Sequence, residues 1–253
     1  MHVRVPKPLH GWSEFFHEVW IVVIGILIAL ILNQVVEQLN WDQRVDAAQR
    51  SIDRELALDA GVLDERGMQA TCLRQTLAQL HDVIVDARRT GRIGDVRGGA
   101  TQPMIRPIET SAWEAALADG TAAHFGEKRR QQFGILYPIL ADFRRQFDDE
   151  QRLWTHLRWL RGAPGKISDP ALADVSNASV ELDYRDWVNN TNSAQQLGLI
   201  RHMGIRPAYD LILDRPGTRE EVIEGDRRFA VVPPGCTPVT ADGQRVSARP
   251  SQG

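Results

Sequence analysis

The chain has 253 residues, 43% of them hydrophobic and 25% charged, with 30 basic against 33 acidic side chains. That is enough apolar chain for one or two packed domains, and it excludes a wholly disordered, collagen-like or multi-span protein. A net charge of −3 offers no basic field for nucleic acid, and two cysteines are too few for a disulfide scaffold or a cysteine-based zinc site.

The most informative stretch is Val19 to Leu32, VWIVVIGILIALIL, which carries no charge. Apolar character begins earlier at Phe15 and Phe16 and resumes at Val35 and Val36. The whole gives about 20 usable residues, or about 30 Å of helix, the thickness of a bilayer core. Trp12 and Trp41 bracket it about 43 Å apart if helical, a spacing suited to two aromatic belts. The pattern predicts a short tail over 1–11 and a transmembrane helix over 12–37. The run ends Leu-Ile-Leu-Asn-Gln-Val-Val, without the small residues that signal peptidase needs, so the anchor is expected to stay uncleaved. Arg4 and Lys7 before the span nearly balance Arg44 and Arg50 after it. The amino terminus tips the count toward N-terminus inside, which puts the bulk of the chain in the periplasm at a bacterial inner membrane. His17, Glu18, Asn33 and Gln34 at the ends of the span need only snorkel to the interface. Gly25 and Ala29 have the small-xxx-small spacing through which two spans pack closely, and they are the expected contact of a homodimer.

No turn signal follows the span. Ile52, Leu56, Leu63, Ala70, Leu73, Leu77, Leu80, Ile84 and Ala87 keep a three-four stagger, interrupted by Asp59 and Arg66. The span is therefore expected to continue outward as a long helix, with Gly61 or Gly67 as candidate breaks and Gly91 as its stop. Residues 90–108, with four glycines and two prolines, read as a loop that matches neither GxGxxG nor a P-loop. Ser111 and Glu114 have capping-box spacing, opening a short helix that ends near Gly120. A helix from about Glu127 to Arg161 repeats the stagger, with Glu150 and Arg161 interrupting it and Pro138 marking a kink or junction. Asp169-Pro170 starts a short helix, and a longer one is expected from about Tyr184 to Leu213, disturbed by Pro207. Thr218 and Glu221 form a second capping-box candidate for a last helix to about Arg228. Phe229 to Val232 is the only β-leaning run, and residues 232–253 have the composition of a disordered tail. The fold class is thus all-α: one N-terminal transmembrane helix running into a long helix, packed in an extramembrane antiparallel bundle over 38–231.

No pattern in the chain names a reaction. The seven histidines form no HxH, HxxxH or HExxH, so no metal ligand is assigned. Asp148, Asp149 and Glu150 point in different directions on a helix and do not converge as a dyad. No catalytic or cofactor-binding residue is assigned, and an enzyme is not expected. Cys72 and Cys236 fit either a disulfide outside the cytoplasm or two unpaired thiols. Trp113, Trp154, Trp159 and Trp187 are read as core anchors.

Two blocks stand out together. One is Glu14-Phe15-Phe16 leading into Ile24 to Leu30, then Asn33 and Glu37; the other is Ser111-Ala112-Trp113-Glu114 with Gly120 behind it and the Phe133-to-Trp154 helix. Over residues 12 to 160 the chain resembles a family of uncharacterised bacterial single-span membrane proteins, and the resemblance implies membrane location and helices, with no established activity to transfer. The expected role is protein interaction or envelope organisation beside the lipid bilayer, with an unknown protein partner. The alternative is a ligand-sensing bundle without its own output domain.

Overall fold

A computed structural model describes residues 12–94, 103–104, 106–160, 164–228 and 236. Among these the protein is all-α: six helices and one two-residue antiparallel strand pair. Helix α1 runs unbroken from Trp12 to Thr90, 79 residues and about 120 Å long. Neither Gly61 nor Gly67 breaks it. Gly61 instead lets the Ala208–Ile212 segment come close, since a Cβ there would meet the Ile212 side chain at 2.8 Å. Gly91 stops the helix with φ of +65°, its N–H donating to the Ala87 carbonyl.

Beyond α1 the chain returns toward the N-terminal half of that helix. Strand β1 (Arg92–Ile93) pairs with β2 (Gly165–Lys166) at the far end of the molecule. The β-leaning run Phe229–Val232 and most of the predicted tail lie outside the described residues. Met104 and residues 106–112 then descend along α1, from the level of Gln69 to that of Glu55. Helix α2 (Ser111–Ala118) and a 3-10 turn (Thr121–His124) complete the descent. The α2 cap differs from expectation by one residue: Thr110 holds the N-cap position and its hydroxyl donates to Glu114, whereas Ser111 donates to Glu55.

Helix α3 (Glu127–Leu157) contains Pro138 without a break, so the expected junction does not exist. Helix α4 (Asp169–His202) replaces the two helices expected there. Ser168 caps it by accepting the Ala171 N–H, and Gly204 in the left-handed region follows its end. The Pro207 disturbance falls in the link to α5 (Tyr209–Leu213). Helix α6 (Arg219–Arg228) has the predicted reciprocal cap: Thr218 N–H donates to Glu221, and Glu221 N–H to the Thr218 hydroxyl.

Paired contacts fix the directions. Glu55 meets Tyr137 and Arg66 meets Glu150, so α1 and α3 run the same way; Gln146 meets Asn192 and His156 meets Asp174, so α4 runs against α3. The core has two apolar parts. The one nearer the N-terminal half of α1 gathers Ile52, Leu56, Leu63, Trp113, Phe133 and Phe143. The far one gathers Leu73, Leu77, Leu80, Trp154, Leu157 and Leu182. Truncating any of these Leu side chains to Ala forfeits about 2–5 kcal/mol of transfer and cavity energy. Trp159 and Trp187 depart from the expected anchor role: both lie on the surface, 45% and 64% exposed. Each falls on the side of its helix that faces away from the seam.

The exposure of α1 changes abruptly along its length. Every residue from Phe15 to Asn40 is exposed, the apolar ones included, and burial begins at Trp41. This N-terminal part is long and apolar enough to cross a membrane.

Candidate functional site

Between the two apolar cores lies a layer of buried polar side chains from three helices. Arg66 of α1 sits at its centre, almost wholly buried. Its Nη2 donates to Glu150 of α3 at 2.9 Å and to Asp186 of α4 at 2.7 Å, and its Nε donates to Asn190 at 3.0 Å. Glu150 also accepts from the Trp154 indole at 3.1 Å and from the Asn189 amide. Asp186 accepts from the Asn190 amide at 2.9 Å, and the Phe147 ring lies 5.9 Å from the Arg66 guanidinium carbon.

One guanidinium faces two carboxylates, so the layer carries excess negative charge in a poorly solvated place. Burial pushes the Asp186 carboxyl up to about 6; Arg66 pulls against that, and Glu150 adds to it. Arg66 Nη1 and Asn189 Oδ1 are buried without a hydrogen-bond partner among the described residues. The arrangement locks the register of three helices, since sliding any one by a turn would leave a charge unpaired in the interior. Above Asp186 the layer opens to a surface groove of about 450 Å³, lined by Ala70, Arg74, Asp183, Trp187 and Asn190.

Two further polar sets fasten the rest of the chain to α1. Along the returning segment, Gln69 accepts from Met104 N–H, Glu65 pairs with Arg106, Asp59 accepts from Glu109 N–H, and Glu55 accepts from Ala112 N–H. Burial raises the Asp59 carboxyl well above the usual carboxylate range, against the pull of the Glu109 N–H. On another face, buried Asp64 accepts from Tyr209 at 2.6 Å and pairs with Arg219 at 2.8 Å and Arg201 at 3.4 Å. Those bonds hold α5, α6 and the end of α4 in place. Farther along, Cys72 and Cys236 form a disulfide with Cα atoms 5.7 Å apart, tying residue 236 to α1.

The seam interruptions Asp59, Arg66 and Glu150 are therefore the anchoring points of the molecule. Arg66 and Glu150 satisfy each other, which no spacing in the sequence reveals because 84 residues separate them. Asp186 was not visible as a member; its only sequence signal is a carboxylate on the inner side of α4. Asp148, Asp149 and Glu150 diverge as expected, with Asp149 pairing with Arg152 and Arg185 at the surface. No group of three potential metal-binding side chains occurs among the described residues. Gly25 and Ala29 lie on the exposed part of α1, and a Cβ at Gly25 would meet nothing within 4 Å. No family model, curated protein or solved structure matches the chain.

Proposed function

We propose that this is a single-span protein of a bacterial inner membrane whose periplasmic helical bundle takes part in protein interaction or envelope organisation. The observation that carries the reading is the single unbroken helix α1, apolar all round over 19–32 and uncovered over 15–40, then striped and covered beyond Trp41. A helix apolar on every side needs an apolar solvent, and the bilayer supplies one. The Cys72–Cys236 disulfide supports the periplasmic side, because such bonds persist in oxidising compartments. Gly25 and Ala29 on the uncovered face support self-association of the span as a homodimer.

Crosslinking in intact membranes followed by affinity recovery tests the role. A discrete protein partner, or the crosslinked dimer, is expected; recovery of lipid and monomer alone contradicts the reading. Ligand sensing is the second reading, favoured by the groove over Asp186. A ligand-dependent rise in melting temperature that Asp183→Ala abolishes would favour it over the first.

A further inference from the structure

We propose that the turn between α2 and α3, together with Trp41 and the first turn of α3, is a second membrane contact, seated among the phospholipid headgroups of the leaflet from which α1 emerges. The inference rests on the single-span reading and deepens it. It says where the bundle stands.

Helical rise gives the depth. Phe15 to Val36 is exposed throughout and apolar but for His17, Glu18, Asn33 and Gln34 near its ends; it is about 32 Å long, which fills the hydrocarbon layer and puts Val36 at its edge. The headgroup layer extends about 5–8 Å farther. Trp41 is about 8 Å beyond Val36 along the axis, at the outer side of that layer, where indole rings are favoured. Its ring is stacked on His124 of the 3-10 turn, with centroids 3.8 Å apart. The bundle therefore begins within the headgroup layer, with no intervening stalk.

Helix register extends the argument to α3. Glu55 bonds Tyr137 and Arg66 bonds Glu150, so residues of α3 lie level with those about 83 positions earlier in α1. On that register Lys128 lies level with Val45, about 14 Å from Val36 along the axis, so that a flexible lysine stem about 6 Å long brings its ammonium to the outer edge of the headgroup layer. Helix α2 points the same way, since it starts beside Glu55 and ends at Asp119, whose carboxyl interacts with Arg44 near the span exit.

The chemistry of this end suits an interface. Leu117, Ala118, Ala123 and His124 are exposed around the turn, and Arg44 stands 5.1 Å from the Trp41 ring centroid. Lys128 and Arg130 are exposed on the adjoining turn of α3. Of the carboxylates here, Asp119 accepts the Thr121 N–H at 2.9 Å, Glu127 takes Arg130 and Gln131, and Asp42 accepts from the Gln38 amide at 2.9 Å, while Asp46 is exposed on α1. Small and apolar side chains ringed by charges of both signs suit a headgroup layer.

The test uses the full chain reconstituted in phospholipid vesicles. The two native cysteines are joined to each other, so a single introduced thiol carries an environment-sensitive fluorophore. Labels go at the exposed positions Ala123→Cys, Lys128→Cys, Ile28→Cys in the span and Val180→Cys on the outer face of α4. Lipids spin-labelled at the headgroup are expected to remove most of the emission at 123 and part of it at 128. Lipids labelled deep in the acyl chain are expected to quench 28, and neither lipid is expected to quench 180. Labels at 123 and 128 that behave like 180, while 28 stays quenched, overturn this contact and leave the span intact. An unquenched label at 28 overturns the span and the contact together.

Discussion

From Phe15 to Asn40, α1 shows every side chain to its surroundings; from Ile52 to Ala87 the same helix buries a stripe against α3, α4 and the returning segment. The two parts differ in sequence both in how apolar they are and in how the apolar groups are distributed. The first has them on all sides, so no single protein face can cover them. The second has a seam three to four residues wide, and places charge inside that seam only where another helix brings the complementary group. Arg66 and Asp59 would be intolerable in the first part and are indispensable in the second. The comparison yields four tests, and the largest effect is expected in the polar layer.

Arg66→Leu leaves Glu150 and Asp186 buried without their shared cation. A loss of about 3–5 kcal/mol is expected, read as the shift of a denaturation midpoint in detergent micelles. The triple exchange Arg66→Leu, Glu150→Leu, Asp186→Leu is expected to recover much of that loss, because no charge is then stranded. A triple variant no better than the single one would show that the layer does more than balance charge.

The two parts of α1 are compared most directly by one truncation made twice. Leu63→Ala, in the bundle core, is expected to cost about 2–5 kcal/mol of bundle stability. Leu27→Ala, on the uncovered part, is expected to leave the bundle midpoint unmoved, since its side chain touches no other element of the fold. A matched loss at both sites would mean that the first part packs against protein after all.

Much of this division was legible in the sequence. The stagger from Ile52 to Ala87 and from Phe133 to Leu157 picks out much of the buried face, because a helix repeats its inner face every three or four positions; it passes over Val62, Asp64, Glu65, Met68 and Gln69, where the returning segment and the C-terminal helices cover further sides of α1, and it includes Ala70, which is only half-buried. Caps at Thr218 and Glu221 and the stop at Gly91 are local, and local signals survive without tertiary context. What escaped was long-range. Pro138 does not break α3, because packing on both sides of it outweighs its missing hydrogen bond. Asp169 to His202 forms one helix although its seam is weak in hydrophobic terms, since its inner face includes Ser176, Asp186, Asn189 and Ser193. Those polar residues read as surface until Arg66 and Glu150 stand opposite them. Trp187 misled in the other direction, being apolar yet outward.

The disulfide sharpens the contrast at intermediate size. It closes a loop of 164 residues and joins a point on α1 to residue 236. Reduction under native conditions is expected to lower the bundle midpoint by about 2–4 kcal/mol, chiefly by freeing the unfolded chain. Cys72→Ala with Cys236→Ala should reproduce the loss without reductant. A midpoint indifferent to reductant would mean the thiols are not joined in solution.

The smallest expected effect is the share of the pH dependence that comes from Asp186 in the polar layer. Asp186 is held at about 6 by burial, above the value near 3.8 of an exposed aspartate. A carboxyl whose folded value is raised binds its proton more tightly in the folded state, so protonation favours folding. Its contribution is fully present below pH about 4 and is lost as the pH climbs through about 6, amounting to roughly 2–3 kcal/mol across that window. Asp186→Asn keeps an acceptor for Arg66 but cannot titrate. Between pH 7 and pH 5 the midpoint of the native chain should therefore rise relative to that of the variant. Parallel profiles would show that water entering through the groove, which Asp186 itself helps to line, solvates the carboxyl. The uncovered part of α1 has no inward carboxylate, so the same pH step should leave membrane association of both proteins unchanged.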